Sequence, residues 1–261
     1  MPKKYFDGPM GQVHVTDEGE GPSLVLLHQT AWSGLQFVNV IPYLVESGFR
    51  CIAIDTPGFG MSDGPQNTPS IEEYAGSLFQ ILRKMEVANV MVLGHHTGAS
   101  IATAFACNYP SMIKHLFLHG VPLYTDKERS ERLSRQHFDQ SPLKDGSHLT
   151  NRWSVGVNIC KGQASSKAIH WSLLNFFTAG PKEWFGHHAA FTYDIEKDLK
   201  LLKVPTTVIS NSGDILHKKL PLIKSLRPDF RISELDGGTF HIIFEESERW
   251  SNMLIKELRE V

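Results

Sequence analysis

Three residues have the types and surroundings that chemistry needs: His96, Asp214 and His241. His96 is the middle residue of Gly94-His95-His96-Thr97-Gly98, between the apolar run Val90 to Leu93 and the helical pattern Ala99 to Asn108. A buried strand, a tight glycine-flanked turn and a helix start is the layout in which G-x-S-x-G lifts a nucleophile above a sheet. Here the serine position holds an imidazole. Asp214 ends Ser210-Asn211-Ser212-Gly213-Asp214 after a strand-like run, and His241 follows Gly237-Gly238-Thr239-Phe240 near the C-terminus. A carboxylate that orients an imidazole is the acid–base arrangement of triad enzymes.

The turn residue is expected at positive φ, which demands small neighbours. Gly94 and Gly98 supply them, and histidine is one of the few non-glycine types enriched at positive φ. Three chemistries follow. A neutral His96 attacks a carbonyl and forms an acyl-imidazole. Alternatively Asp214 orients His241, which takes a proton from an attacking water while His96 binds or protonates the substrate oxygen. In the third, the histidine pair moves protons on carbon. Two close imidazoles resist being charged together, which favours one acid and one base. The second chemistry is the preferred expectation.

Elements that would position these residues are legible as alternating strand and helix patterns, the mark of a mostly parallel sheet with crossover helices. Ser23 to His28, Arg50 to Asp55, Asn89 to Gly94, His115 to Gly120, Thr206 to Ser210 and Phe230 to Leu235 read as strands. Most are apolar on successive residues, as strands covered on both faces must be. An N-terminal hairpin beginning at Val13 is expected to turn at Glu18 to Pro22. Helices are predicted over Val38 to Glu46, Ser70 to Met85, Ala99 to Asn108 and Glu245 to Leu258. The stretch 124–200 breaks the rhythm, with helical spacing over Glu128 to His137 and Ser166 to Phe177. It is predicted as an inserted helical cap, leaving 1–123 and 201–261 as the core.

Four landmarks in order make this sequence similar to the α/β-hydrolases. They are the strand end Leu27-His28, the loop Asp55-Thr56-Pro57-Gly58-Phe59-Gly60-Met61-Ser62, the turn at Gly94 to Gly98, and Asp214 followed by His241. The resemblance spans almost the whole chain and implies an α/β-hydrolase fold, with the chain order nucleophile, acid, histidine. Two departures stand out: Gln29 where glycine is usual, and His96 where serine is usual. By resemblance the oxyanion hole falls to the backbone N–H groups of Thr30 and Thr97; the Thr97 hydroxyl could also cap the following helix. Lyase, decarboxylase or cofactor-free oxygenase chemistry is known on this fold and is a rival implied by the resemblance. A ligand-binding sensor that has lost turnover is another.

Around this centre, Gln29, His119, Trp153 and Trp184 are candidates for the substrate pocket. The cap aromatics point to a small apolar carbonyl substrate, although for most of them packing within the cap is the plainer role. His28, His95, Asp55 and Ser62 read as structural, and the His187-His188 pair reads as a solvated loop. Gly180-Pro181 and Gly186 suggest joints in the lid. His28, His96, His241 and Asp214 gather at one sheet edge, but their spacing matches no metal pattern, so no metal and no cofactor are expected.

Composition fits one domain of ordinary globular type, 261 residues with 41% hydrophobic and 21% charged. A net charge of -2 with scattered Lys and Arg gives no footprint for nucleic acid or an anionic membrane. Three separated cysteines, Cys51, Cys107 and Cys160, suit a reducing compartment. No signal peptide or apolar span is visible, so a cytoplasmic location is expected. The expectation is hydrolysis of an ester, thioester, amide or activated carbon–carbon bond by a His-Asp-His constellation. The partner is a small-molecule substrate.

Overall fold

A computed structural model describes residues 3–135 and 139–261. Its centre is an eight-stranded sheet in the order β1-β2-β4-β3-β5-β6-β7-β8. The strands are β1 (Lys3–Gly8), β2 (Gly11–Glu18), β3 (Ser23–Leu27), β4 (Arg50–Ile54), β5 (Val90–His95), β6 (Ile113–His119), β7 (Thr206–Asn211) and β8 (Arg231–Leu235). β1 pairs antiparallel with β2, and β2 with β4; every later pairing is parallel. The mostly parallel sheet read from the sequence is therefore present.

Consecutive apolar residues in the central strands are divided between the two faces. Val25, Leu27, Ile52, Ile54, Val90, Val92, Leu116 and Leu118 join one buried cluster, while Leu24, Leu26, Cys51, Ala53, Met91, Leu93 and Phe117 join the other. Period-2 geometry sends alternate side chains to opposite faces, so only a sheet covered on both sides needs such runs. α1 (Ile41–Glu46) packs on the second face, and α2 (Ile71–Lys84) and α3 (Thr97–Asn108) on the first. α2 starts at Ser70 with a reciprocal capping box to Glu73, as Ser70 followed by acidic residues suggests.

Between β6 and β7 the chain runs through α4 (Asp126–Leu133), α5 (Ser147–Ile159), α6 (Ser166–Ala179), α7 (Glu183–Thr192) and α8 (Ile195–Leu201). The helix expected over Glu128 to His137 corresponds to α4; its far end at His137 lies outside the described residues. After β7 come α9 (Leu220–Leu226), then, beyond β8, α10 (Ile242–Glu245) and α11 (Ser247–Leu258). α11 buries Trp250, Leu254 and Leu258 on the second face of the sheet.

The N-terminal hairpin is corrected. It turns at Pro9-Met10, between β1 and β2, rather than at Glu18 to Pro22. Glu18 to Pro22 instead carries the chain past β4, which lies between β2 and β3. Among the described residues no helix is long and apolar enough to cross a membrane.

Candidate active site

The turn between β5 and α3 forms as its glycines require. His96 has φ 50° and ψ −112°, the positive φ expected of it. A Cβ on Gly94 would lie 2.7 Å from Ala99 Cα, and one on Gly98 2.7 Å from the Leu27 carbonyl carbon. Backbone passes too closely there for any side chain. His96 N donates to His119 O at 2.9 Å, fixing the turn to the end of β6.

The His96 ring occupies space opened by Gly120. A Cβ on Gly120 would stand 2.7 Å from His96 Nε2 and closer still to Cδ2, and Gly120 itself has φ +61°. Through that space His96 Nε2 meets Asp214 Oδ2 at 2.7 Å. The other carboxylate oxygen, Oδ1, accepts from Leu216 N at 2.7 Å. Burial acts to raise the Asp214 carboxyl, but the His96 charge and the adjoining His95 and His96 imidazoles outweigh it. The group is held well below the ordinary carboxylate value. An anionic Asp214 accepts the Nε2–H of His96, which leaves Nδ1 as the nitrogen with a free lone pair when the ring is neutral.

Asp214 thus pairs with His96, and the expected Asp214–His241 pair is corrected. His241 is buried, and its Nδ1 has no hydrogen-bond partner. Its ring lies 4.2 Å from that of Phe240 and 5.5 Å from that of Trp32. Burial first, and then the His96 charge, push this imidazole down to about 3. The physical reason is reach: an imidazole on residue 96 spans the gap that a serine hydroxyl would leave for a second ring.

Beneath the pair, His95 has its proton placed by its neighbours. Gln29 N donates to Gln36 Oε1 at 3.0 Å, so Gln36 Nε2 is the amide atom that meets His95 Nδ1 at 2.8 Å. Nδ1 must accept, so the neutral ring carries its proton on Nε2, 3.9 Å from Asp214 Oδ2. Burial, then the His96 charge, hold His95 well below the ordinary imidazole value.

Metal-binding atoms of His95, His96 and Asp214 lie within 4.8 Å of one another. The donor set does not fit an ion, however, because ligation needs a lone pair on His95 Nε2. Moving the proton to Nδ1 would set it against a Gln36 N–H that the Gln29 backbone holds in place.

His96 opens onto a cavity of about 80 Å³. Thr30 and Thr97 line it together with Arg132 and His187, and Tyr124 and Phe191 supply aromatic wall. Thr97 is the first residue of α3, where a backbone N–H has no intrahelical acceptor. Its hydroxyl caps nothing, and the cap position belongs to His96, without a side-chain bond. His187 is half-buried on α7 rather than in a solvated loop, and burial is the main force lowering it to about 3. Gly186 is no joint. A Cβ there would lie 3.2 Å from both Phe59 Cζ and Thr30 Cβ and would overlap Thr30 Oγ1. Its bareness lets α7 close on the loop after β3.

None of the four expected pocket residues lines this cavity. Gln29 is buried, with its amide donating to Phe240 O at 3.2 Å. His119 is fully buried between Asn211 Oδ1 at 2.9 Å and Trp250 Nε1 at 3.3 Å. Trp184 packs behind the wall formed by Tyr124, Phe191 and Leu216. Trp153 is half-buried on α5. Sequence reasoning missed Tyr124, Arg132 and Leu216. The signal for Tyr124 and Leu216 was their position just past the ends of β6 and β7, the edge at which ligands bind in such sheets; nothing marked Arg132.

Residues read as structural are engaged as such. His28 Nδ1 donates to Gln29 O at 2.9 Å and its Nε2 accepts from Thr56 N at 3.0 Å. Asp55 accepts from Gly34 N and Met61 N at 2.6 and 2.8 Å. A larger cavity of about 410 Å³ lies beside His14, Asp55 and Trp171 and touches none of His96, Asp214 and His241.

The sequence profile described as the alpha/beta hydrolase fold matches residues 22–247. A 2-hydroxy-6-oxononadienedioate/2-hydroxy-6-oxononatrienedioate hydrolase from Escherichia coli is 34% identical over 116 residues, 42% of this chain and 40% of that protein. The match thus spans about two-fifths of that relative's length. An esterase from Exiguobacterium antarcticum superposes with a TM-score of 0.81 at 18% identity, over 98% of each chain. The bromoperoxidase of Bacillus anthracis does so with a TM-score of 0.77 at 21% identity, over 99% of this chain and 100% of that one. Such identities carry the fold alone. With a profile spanning residues 22–247 and an eight-stranded sheet bearing a strand–turn–helix at His96, this chain belongs to the α/β-hydrolase fold family.

Proposed function

We propose that the chain is a hydrolase that splits an ester, thioester, amide or activated carbon–carbon bond of a small carbonyl substrate, with the Asp214–His96 pair at its centre. The observation that carries the proposal is the 2.7 Å contact between Asp214 Oδ2 and His96 Nε2 at the turn. Asp214 holds the ring with its proton on Nε2, and Nδ1 takes a proton from a water. The resulting hydroxide adds to the substrate carbonyl. Backbone N–H groups of Thr97 and Thr30 receive the oxyanion. Collapse expels the leaving group, which recovers the proton from His96. Nδ1 adjoins the ring's own Cβ branch, and this crowding favours a base acting through a water over covalent attack.

His241, outside the Asp214 pair, packs against the Phe240 and Trp32 rings and moves no proton in this scheme. Residues 124–200 act as a cap, since α4 and α7 contribute Arg132, His187 and Phe191 to the cavity. The three free cysteines support a reducing, cytoplasmic setting.

The test is a pair of variants, His96→Ala and His96→Ser, with kcat/KM measured on activated esters. Loss of general-base action lowers the rate by about 10²–10⁴-fold. Near-normal turnover in His96→Ala removes the proposal, and a trapped acyl-enzyme on residue 96 replaces the water route with covalent catalysis.

A further inference from the structure

We propose that Arg132 is a carboxylate-binding residue, so that the cavity takes small carbonyl compounds carrying an acid group; this rests on the hydrolytic reading above for the reaction but on the geometry of Arg132 for the recognition. Arg132 lies in the last turn of α4 and lines the same cavity as His96. Its Cζ sits 4.2 Å from the Tyr124 ring centroid and 5.4 Å from that of Phe191. Both rings also line the cavity.

Arg132 has no counter-charge among the described residues; Arg135 and Arg152 make no ion pair there either, but neither of them lines the cavity with His96. Two other cations close by are matched: Lys219 bonds Glu128 at 2.5 and 2.7 Å, and Arg129 pairs with Asp126 and Asp194. Arg132 makes no ion pair and donates to no acceptor among the described residues. Asp214, the acid at the far side of the cavity wall, already serves His96 and Leu216.

Stacking explains where the guanidinium sits, but it uses only the face of the group. The edge, with its N–H donors in a planar fork, stays available for two parallel bonds to a carboxylate. Half-burial against two aromatic rings lowers the local dielectric and strengthens such a pair. His187, kept low by burial, does not compete as a second cation. The remaining wall, including Pro122, Ala190 and Ile215, is apolar. A substrate that fits therefore has a short apolar body, an acid group at Arg132 and its carbonyl towards Thr97.

Binding of hexanoate and hexanamide, matched in size and differing in charge, tests this by calorimetry on the wild type, Arg132→Met and Arg132→Lys. A charge-assisted contact of this kind corresponds to about ten- to a hundredfold in affinity. The expected result is that hexanoate binds wild type at least tenfold more tightly than hexanamide, roughly the lower end of that range. Arg132→Met should abolish the preference without weakening hexanamide, and Arg132→Lys, which keeps charge but loses the fork, should retain part of it. The proposal is overturned if wild type shows no preference, if neither compound binds at millimolar concentration, or if Arg132→Met keeps the preference. Should Arg132→Met fail to fold, the wild-type and Arg132→Lys comparisons decide. No turnover enters the measurement, so a preserved preference in a chain that hydrolyses nothing would sink the hydrolytic reading and leave the anion site standing.

Discussion

Replacing Gly120 by alanine tests the geometry of the pair without touching either member. The added methyl would lie 2.7 Å from His96 Nε2, closer to Cδ2, and 3.4 Å from Asp214 Oδ2. Ordinary contacts between heavy atoms lie at roughly 3.5–4.0 Å, so the ring must retreat by about an ångström. That is enough to break a 2.7 Å hydrogen bond. Two costs in stability add. Positive φ at a non-glycine residue costs about 1–2 kcal/mol, and overpacking a filled site about 1–3 kcal/mol. Urea unfolding should therefore show a loss of about 2–5 kcal/mol. Turnover should fall by about 10- to 150-fold, the equivalent of a charge-assisted hydrogen bond at about 1.5–3 kcal/mol. A double-variant cycle separates the causes. On a His96→Ala background the clash is gone, and Gly120→Ala should cost only the φ penalty, so the two substitutions couple by at least about 1 kcal/mol. Equal losses in both backgrounds, or wild-type turnover in Gly120→Ala, would show that the bare Cα of Gly120 does not set the position of the His96 ring.

Asp214→Asn should cut kcat by about 10²–10⁴-fold and flatten the acid limb of stability. Asp214 titrates lower when folded, so the unfolded chain binds its proton first, and stability is lost as pH falls below the ordinary value of 3.8; a variant with an unchanged acid limb would contradict this. His241 works in the same direction over a higher window. Its folded value near 3 lies below the ordinary 6.5, so stability should rise with pH between the two, and His241→Gln should lessen that slope in urea titrations. Gly186→Ala should lower stability by about 1–3 kcal/mol through overlap with Thr30, and Thr30→Ala should recover most of it; no recovery would mean that α7 is held off by something else.

The sheet was readable because burial on both faces writes itself as consecutive apolar residues, as in Leu24 to Leu27 and Val90 to Leu93. The turn was readable because Gly94 and Gly98 have only one use at that spacing. Asp214 and His241 could be placed at the right sheet edge from their order in the chain. Which histidine Asp214 would meet could not, since that depends on the length of the His96 side chain and on the bare Cα of Gly120, 24 residues away in sequence. Gly186 shows the same limit. A glycine in an aromatic-rich helix suggests flexibility until the neighbouring Thr30 hydroxyl is seen. Arg132 carried no signal because a surface helix with several basic and acidic residues looks solvated throughout, and only its place in the lining of the His96 cavity sets it apart.

The most direct test of the centre is nitrogen-15 histidine NMR on the wild type and Asp214→Asn at neutral pH. His96 is expected to carry its proton on Nε2, with a strongly downfield signal that disappears in Asp214→Asn. A downfield proton on His241 instead, surviving in His96→Ala and lost in Asp214→Asn, would show that Asp214 serves the other ring and would contradict the pairing with His96.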